Sequence, residues 1–369
     1  MGGPIRVAQV MGKMVGGGVE SVVMNYYRHI DREKVQFDFI VCEGSTLVPR
    51  EEIEAFGGRV FVTPPYQRVF EYQRELRRLF DEQKWKIVHS HINALSVFPL
   101  RAAKAAGVPI RIAHSHSSSG KGEPIRNIAK AILKTQANRY PTHRFACSRF
   151  AGEWLFGAGP EFEVIYNAVD LGRFAFDSEV RSAVRAELGL DDSQFVIGHV
   201  GRFAPQKNQG FLMDAFAEVT QQRPDSVLLF AGEGDEKQLA ERRADELGIS
   251  DKVMFLGQCS EINRLYQAFD AFALPSLYEG LGIVAVEAQA AGLPCLLSDA
   301  VTREVNLTGA CDFLSIGDPS LWASRLCVLQ RRTDDERSAV DFSRFTDYDI
   351  ERQARRLAER YQGLSEVAK

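Results

Sequence analysis

Two glutamates, Glu279 and Glu287, bracket a stretch with two glycines, and their spacing could place two carboxylates on one ligand. Gly280 and Gly282 allow a tight turn from a loop into a helix. If all steps between the glutamates were helical, they would lie about 12 Å apart along the axis. Backbone amides at a helix start bind anions, and carboxylates accept hydrogen bonds from hydroxyls. The pattern indicates a ligand that carries both an anionic group and hydroxyls.

Two cations follow another apolar run, 195–200, as Arg202 and Lys207. They would lie beyond the carboxyl end of a strand, where open parallel sheets bind ligands. Either residue alone would be a solvated surface cation, but a guanidinium and an ammonium together suit a diphosphate. A nucleotide sugar, in which a diphosphate separates two hydroxyl-rich rings, fits these cations and the glutamates together.

Four histidines end two apolar runs, in the pairs His89 and His91, and His114 and His116. Alternation along a strand puts both members of a pair on one face. Four imidazoles could form a metal site, but no carboxylate or thiol nearby completes it, and strand ends also use histidine structurally. We therefore predict no metal. The single Asp-x-Asp, at 347–349, opens a helix, and Asp347 or Asp349 is expected to cap it.

Short apolar runs alternate with longer amphipathic stretches, which predicts parallel sheets covered by helices on both faces. The series breaks around 160–190, so we predict one doubly wound domain on each side. A charged helix is expected over 348–361. The predicted strands are 5–10, 36–42, 59–63, 86–90, 109–114, 144–147, 195–200, 226–231, 252–257, 271–275 and 294–298.

Composition sets further bounds. A chain of 369 residues exceeds a usual single core. A net charge of -4 argues against bulk nucleic-acid binding. The six cysteines form no CxxC pair, which is typical of reduced, buried thiols in a cytosol. The first strand begins at once and leaves no room for a secretory leader, and no run approaches the roughly 18 apolar residues of a membrane span. We expect a cytoplasmic protein.

One basic segment could bring the protein to a membrane surface. Residues 121–144 carry six Lys or Arg against one acid, Glu123, with apolar residues interspersed. A basic amphipathic helix can lie on an anionic membrane, although such a stretch is more often a solvated face over a core. Arg74, Arg77 and Arg78 would extend the patch.

The whole constellation resembles the family 4 retaining glycosyltransferases of the two-domain GT-B type. The resemblance spans most of the chain, and the subgroup that builds bacterial exopolysaccharide and capsule is the most similar. At 167–170, Asn-Ala-Val-Asp is similar to the family's Asn-Gly-Val-Asp, with Ala replacing Gly. The other matching motifs are Gly-Arg-Phe and Gln-Lys-Asn within 201–208, Gly-Glu-Gly at 232–234, Phe-Leu-Gly at 255–257, Pro-Ser, Tyr-Glu-Gly and Glu within 275–287, and Ala-Gly-Leu-Pro at 291–294.

The resemblance implies a GT-B fold, in which two doubly wound, Rossmann-like α/β domains face each other across a cleft. Residues 1–170 would form the N-terminal acceptor-binding domain, and residues 171–346 the domain that binds the nucleotide sugar. Residues 347–369 would form a helix that crosses back to the N-terminal domain.

The resemblance also implies roles for individual residues. Arg202 and Lys207 would neutralise the diphosphate, Glu279 would hold the donor sugar, and His114 would lie near the transferred sugar, with His91 as a neighbour. Gly17 and Gly18 resemble the family's glycine loop, for which a flexible surface loop is an equal alternative. The full donor-binding set is Gly17, Gly18, Phe255, Gly257, Gly280, Leu281, Gly282, Ile283 and Glu287, the last on the ribose.

The implied activity is transfer of a sugar from a nucleoside diphosphate, chosen as UDP from family tendency, to a glycan or lipid-linked hydroxyl in cell-surface polysaccharide synthesis. The anomeric configuration would be retained, and no metal or other cofactor is expected. A sugar-nucleotide epimerase of GT-B shape and a noncatalytic sugar-nucleotide-binding protein are the alternatives. A nicotinamide dehydrogenase is disfavoured, because the first strand lacks a GxGxxG turn.

Overall fold

A computed structural model describes residues 3–116 and 133–367, and these divide into two compact units. The first unit comprises 3–116, 133–168 and 347–367, and the second comprises 169–346. Half of the basic segment 121–144, from 121 to 132, lies outside the described residues.

The first unit is built on a seven-stranded sheet in the order β3-β2-β1-β4-β5-β6-β7, in which every pairing is parallel. Helices on both faces explain why β2 is buried at every position. The strands are β1 Ile5–Gly12, β2 Val35–Cys42, β3 Arg59–Thr63, β4 Ile87–Ser90, β5 Ile110–Ser115, β6 His143–Ala146 and β7 Glu163–Val164.

Two apolar clusters pack on opposite faces of this sheet. Val7 on one face packs with the first and last helices, and Ala8 on the other face packs with the third and fourth. The C-terminal helix is therefore part of the first unit's core. The helices described in this unit are Gly18–His29, Arg50–Ala55, Val69–Gln83, Val97–Ala105, Arg149–Phe156 and Ile350–Val367.

The second unit repeats the design with a six-stranded parallel sheet in the order β10-β9-β8-β11-β12-β13. Its strands are β8 Phe195–Val200, β9 Ser226–Ala231, β10 Val253–Phe255, β11 Ala271–Leu274, β12 Cys295–Ser298 and β13 Cys311–Leu314. Its helices are Leu171–Phe174, Ser178–Glu187, Gln209–Gln222, Lys237–Glu246, Ile262–Ala268, Ile283–Ala290, Pro319–Val328 and Asp334–Ser338.

Each sheet has one topological switch point, at which the order of successive strands reverses direction. In the first sheet β1 lies beside β4, and in the second β8 lies beside β11, although other strands separate each pair in the chain. Loops at the carboxyl ends of such a pair diverge to opposite faces and leave a crevice that binds ligands. In the second unit these loops are 201–208 and 275–282.

The predicted strands agree with the observed strands to within two residues at each end. Two short strands, β7 and β13, were not predicted. The C-terminal helix runs over Ile350–Val367 rather than 348–361, and Asp349 caps it by accepting a 3.0 Å hydrogen bond from the Glu351 amide.

Candidate functional site

Hydrogen bonds tie together the two loops at the crevice of the second unit. The Leu277 amide donates to the Gln206 carbonyl at 2.8 Å, and the Asn208 side chain donates to the Pro275 carbonyl at 3.2 Å. Asn208 has a φ of 55°, which asparagine adopts more readily than most residues. The cationic motif and the glutamate motif therefore form one surface.

An ion pair between Lys207 and Glu279 lies at the centre of this surface. The Lys207 Nζ is 2.7 Å from the Glu279 Oε1, and the two side chains are only 16% and 8% exposed. The Ser276 hydroxyl donates to the same oxygen at 2.7 Å, while Gln206 Nε2 lies 3.4 Å from Oε2. Because these partners fix the carboxylate, Glu279 is preorganised to hold a ligand.

The second glutamate of the motif has a different environment. The Tyr266 hydroxyl donates to the Glu287 Oε2 at 2.8 Å. Part of the Glu287 side chain reaches the surface, but burial of its carboxyl raises the pKa to about 7, and the Tyr266 hydrogen bond and the Lys207 charge only partly oppose this. The Lys207 charge thus acts on both glutamates, which shows that the two ends of the motif Glu279–Glu287 lie near the same cation.

Glycine turns let three strand-end loops pack backbone against backbone. A Cβ at Gly232 would lie 2.1 Å from the Gly201 carbonyl oxygen, and a Cβ at Gly234 would lie 2.1 Å from that of Phe203. The Gly232 amide also donates to the Gly257 carbonyl at 2.8 Å. No side chain fits in either place, so the Gly-Glu-Gly motif is required by packing at the edge of the site.

The residues predicted to donate backbone amides lie where a helix begins. Gly282 has a φ of 77° and precedes the helix Ile283–Ala290, whose first amides have no acceptor within the helix. Leu281 is buried, and Ile283 is half-buried. A helix start of this kind next to Glu279 can bind an anion, and donor binding by these residues stays a prediction.

Two other predicted donor residues of this unit, Arg202 and Phe255, have different environments. The Arg202 side chain is 57% exposed and is 3.5 Å from the Asp235 carboxylate, outside the Lys207 ion pair. The Phe255 ring stacks on Phe230, with centroids 5.5 Å apart. Arg202 is therefore free to turn toward a ligand, whereas Phe255 is held in the core.

In the first unit the glycine loop already holds an anion from its own chain. The Glu20 carboxylate accepts hydrogen bonds from the amides of Val15, Gly16 and Gly17, at 2.6 to 3.1 Å. A diphosphate could use the Gly17 amide only after the Glu20 carboxylate moved away. The exposed Gly18 begins the helix Gly18–His29.

His114 is buried, and the structure does not place its ring at the surface. Only 3% of the residue is exposed, and it lies in a cluster with His89, His91 and His116. Desolvation lowers the pKa of His114 well below its usual value, so its imidazole is neutral. Its position beside the transferred sugar stays a prediction.

Several residues of the site were not singled out from the sequence. Tyr266 lies in a helix that gave no polar signal, while Gln206 and Ser276 stood within quoted motifs without an assigned role. His199, whose pKa burial lowers to about 3, lies close enough for the Lys207 charge to act on it. For Gln206 and Ser276, the position in a motif beside a strand end was the available signal, and Tyr266 had none.

The architecture is that of the GT-B glycosyltransferases. HepE from Anabaena, solved in complex with UDP-glucose, superposes with a TM-score of 0.79 and 21% identity over 97% of this chain and 99% of its own. In sequence, residues 16–173 match the model of Glycosyltransferase Family 4, and residues 180–307 match that of Glycosyl transferases group 1. The chain belongs to family 4 of the glycosyltransferases.

Two relatives cover most of the chain. The putative glycosyltransferase EpsF of Bacillus subtilis is 36% identical over 87% of this chain and 86% of its own length. An Escherichia coli enzyme named UDP-Gal:alpha-D-GlcNAc-diphosphoundecaprenol alpha-1,3-galactosyltransferase is 27% identical over 80% of this chain and 79% of its own. The fold class and family predicted from sequence are confirmed, and the protein is a glycosyltransferase.

Among helices in the described part of the chain, none combines the length and apolarity that crossing a membrane requires.

Proposed function

We propose that the protein transfers a sugar from a UDP-sugar to a glycan or lipid-linked hydroxyl, with retention at the anomeric carbon, in cell-surface polysaccharide synthesis. The main support for this proposal is the Lys207–Glu279 pair, 2.7 Å apart, which lies near the start of the helix Ile283–Ala290 and close enough to Glu287 for the Lys207 charge to act on it. Cation, amides and carboxylates then match the diphosphate, the sugar and the ribose of one donor.

In this proposal each group meets a different part of the donor. Lys207 and Arg202 neutralise the diphosphate, together with the amides at Gly280 to Ile283. Glu279 accepts hydrogen bonds from the sugar, and Glu287 from the ribose. The choice of UDP is supported by the UDP-glucose held by HepE and by the UDP-galactose in the name of the Escherichia coli relative.

We propose retention without a covalent intermediate, and the way in which Glu279 is held supports the absence of a protein nucleophile. Lys207 and Ser276 both bind its Oε1, which makes it a poor nucleophile. The departing diphosphate gains negative charge as the glycosidic bond breaks, and preorganised donors stabilise that charge. The acceptor hydroxyl attacks on the same face and gives its proton to the leaving phosphate oxygen. Since Lys207, Arg202 and the amides supply the positive charge, we propose that no metal takes part.

The second unit is proposed to hold the donor, since all of these groups belong to it, and the first unit to bind the acceptor. A lipid-linked acceptor would favour contact with a membrane. The first unit has an exposed groove of about 470 Å³, and Phe70, 92% exposed, lies on one of its helices. Its charged lining residues are Arg74, Arg77, Arg78, Arg101 and Asp81, of which Arg78 is ion-paired with Glu75 and Glu82. This groove supports peripheral contact with anionic lipid.

The described part of the basic segment 121–144 supports that contact less well. The Lys134 ammonium lies over the Trp154 ring at 5.0 Å, and the Arg144 guanidinium donates to the Asn138 side chain at 2.7 Å. These cations pack on the protein itself.

Replacement of Lys207 by alanine tests the donor site. We expect Lys207→Ala to lower kcat by roughly 10²- to 10³-fold. It should also reduce the difference in affinity between UDP and uridine, as measured by calorimetry, while Arg202 and the amides retain part of it. Lys252→Ala is the control, because Lys252 is in the same unit and donates to the Pro224 carbonyl, away from the site. An unchanged preference for UDP over uridine in Lys207→Ala would contradict the proposal.

A further inference from the structure

The four buried histidines of the first unit belong to one hydrogen-bonded chain with Gln9 and Tyr361. Gln9 lies on β1 directly beside His89 of β4, and Tyr361 comes from the C-terminal helix. All six residues are at most 6% exposed. The described residues place no acid or lysine among them in the small cavity of about 20 Å³ that they line.

On one side of Gln9 the chain runs through His91 to His116. The His91 Nε2 is 2.8 Å from the Gln9 Oε1, and the His91 Nδ1 is 2.9 Å from the His116 Nε2. On the other side it runs through Tyr361. The Gln9 Nε2 is 3.4 Å from the Tyr361 hydroxyl, which is 2.6 Å from the His89 Nδ1, and the His89 Nε2 is 3.0 Å from the His114 Nδ1.

The amide of Gln9 sets the direction of the first arm. A neutral imidazole has one N–H and one lone pair, and an amide oxygen can only accept. The His91 Nε2 must therefore carry the proton that it donates to Gln9. Its Nδ1 is then a lone pair, so the His116 Nε2 must carry the proton between those two rings.

The same reasoning fixes the second arm. The Gln9 amide nitrogen donates to the Tyr361 oxygen, and the single hydroxyl hydrogen of Tyr361 is then donated to the His89 Nδ1. The His89 Nε2 must carry a proton, which it donates to the His114 Nδ1. The remaining nitrogen of His114, Nε2, is left as an N–H at the end of the chain.

Two further observations agree with a hydrogen-bonded chain of neutral imidazoles, while its direction is set by the Gln9 amide. Of the ring nitrogens in the cluster, those without a partner among the described residues are the His114 Nε2 and the His116 Nδ1, which are the two ends of the chain. Burial lowers the pKa of all four histidines, to about 3 for His116, although a contact with Asn167 raises that of His116. The imidazoles are thus neutral at physiological pH, as the chain requires.

We propose that Gln9 and Tyr361 are positioning residues that hold all four histidines in the Nε2–H tautomer, so that His114 presents an N–H donor and not a lone pair. An oxygen of the sugar or phosphate of the substrate is the group such a donor recognises. This last step rests on the proposed function and adds His114 to it, at the place near the transferred sugar that the family resemblance implies. It requires that the buried Nε2 of His114 become accessible to the substrate. The C-terminal helix thereby contributes to the site through Tyr361.

A metal site is the competing use of the cluster, since ligand atoms of His89, His91 and His114 lie within 4.8 Å of one another. A metal needs the lone pairs of neutral imidazoles. In the hydrogen-bonded chain, His89, His91 and His114 each already use the lone pair of the Nδ1 atom to accept a hydrogen bond. A bound cation would also be buried without a carboxylate among the described lining residues.

Nitrogen-15 NMR of histidine-labelled protein tests the proposal, because the protonated and unprotonated ring nitrogens of a neutral imidazole have distinct shifts. We expect Nε2–H for all four residues. In Tyr361→Phe the signals of His89 and His114 should become mixed, whereas those of His91 and His116, still held by Gln9, should not change. The kcat should fall roughly two- to tenfold with little change in KM for the donor.

Tyr26→Phe is the matched control. Tyr26 lines the same cavity, but its hydroxyl donates to the Tyr166 carbonyl at 2.6 Å, outside the chain. We expect the wild-type tautomers in this variant.

Three results would overturn the proposal: an Nδ1–H tautomer at His114, unchanged His89 and His114 signals in Tyr361→Phe, or a stoichiometric metal in the purified protein. The wild-type spectrum is sufficient if the variant fails to fold. If the four histidines show the expected tautomers but the protein has no transfer activity, the hydrogen-bonded chain is supported and only the proposed function is contradicted.

Discussion

At the scale of single residues, Lys207 acts on two carboxylates of different character. Glu279 is paired with it at 2.7 Å, whereas Glu287 accepts from the Tyr266 hydroxyl and has a pKa raised to about 7. A carboxyl with a raised pKa opposes folding once it ionises. Glu287 therefore lowers stability near neutral pH, which is expected of a residue kept for binding.

Replacement of Glu287 by glutamine should separate stability from binding. Glutamine stays neutral, whereas Glu287 ionises at a higher pH in the folded protein than in the unfolded chain. Wild type should therefore lose stability relative to Glu287→Gln as pH rises from about 4.5 to 7, by up to about 3 kcal/mol. Chemical denaturation at pH 4 and pH 8 measures this difference. An equal difference at both pH values would contradict the raised pKa.

The same variant should bind UDP more weakly than wild type at pH 8, because a neutral amide accepts weaker hydrogen bonds from ribose than a carboxylate does. Calorimetry with UDP and with inorganic diphosphate distinguishes the two ends of the ligand. If Glu287→Gln lost affinity for inorganic diphosphate, which has no ribose, the result would argue against a contact between Glu287 and the ribose.

At the scale of elements, the site depends on loops that approach one another through glycine. The Gly232 turn lies against the Gly201 carbonyl so closely that a Cβ would be 2.1 Å from its oxygen. An added methyl group must push the loops apart, and displacements of about 1 Å can reduce rates by about 10²-fold.

We therefore expect Gly232→Ala to fold with a near-native circular dichroism spectrum but to lose roughly 10²-fold in kcat/KM. Gly189→Ala is the control, because Gly189 also has a positive φ, of 67°, and a Cβ there would have no atom within 4 Å. That variant should lose about 1 kcal/mol of stability and keep its activity. Similar activities in the two variants would show that the close approach does not matter.

The elements were largely predictable from sequence, and their arrangement was not. Buried parallel strands such as β2 are apolar throughout, so their runs identify them. Strands β7 and β13 are short and mostly half-buried, which leaves no such signal. The C-terminal helix continues past Gly363 because Leu364 is buried in the first core, and packing there overrides the low helix propensity of glycine.

Lys207 and Glu279 could be named from sequence because each lies in a loop that follows a strand. The ion pair of Lys207 and Glu279 joins residues that are 72 apart in the chain, and it depends on β8 lying beside β11 with β9 and β10 displaced to one side. Sheet order was not available from the motifs. The hydrogen-bonded chain of histidines was harder still to predict, because Tyr361 reaches it from a helix and is 272 residues after His89.

At the scale of the whole molecule, each unit has its own parallel sheet and core, and the C-terminal helix returns to the first unit. In the proposed arrangement the second unit binds the donor and the first unit binds the acceptor. The arginine groove of the first unit would then be a membrane-contact surface. That groove would approach an anionic membrane that carries the acceptor.

Vesicle sedimentation tests this contact. The double variant Arg74→Ser with Arg77→Ser should bind phosphatidylglycerol vesicles roughly tenfold more weakly than wild type, and neither protein should bind neutral vesicles. The control combines Lys34→Ser with Arg50→Ser, which removes the same charge from exposed positions elsewhere in the first unit. Equal losses of vesicle binding in both double variants would show that the binding depends on net charge and not on the groove.

Retaining transfer from a UDP-sugar can be tested by proton NMR of the first sugar released during slow hydrolysis of UDP-glucose and UDP-galactose. We expect the α-anomer to appear first, before mutarotation, and Lys207→Ala to release almost none. First appearance of the β-anomer would contradict retention, and equal release by Lys207→Ala would contradict the proposed donor site.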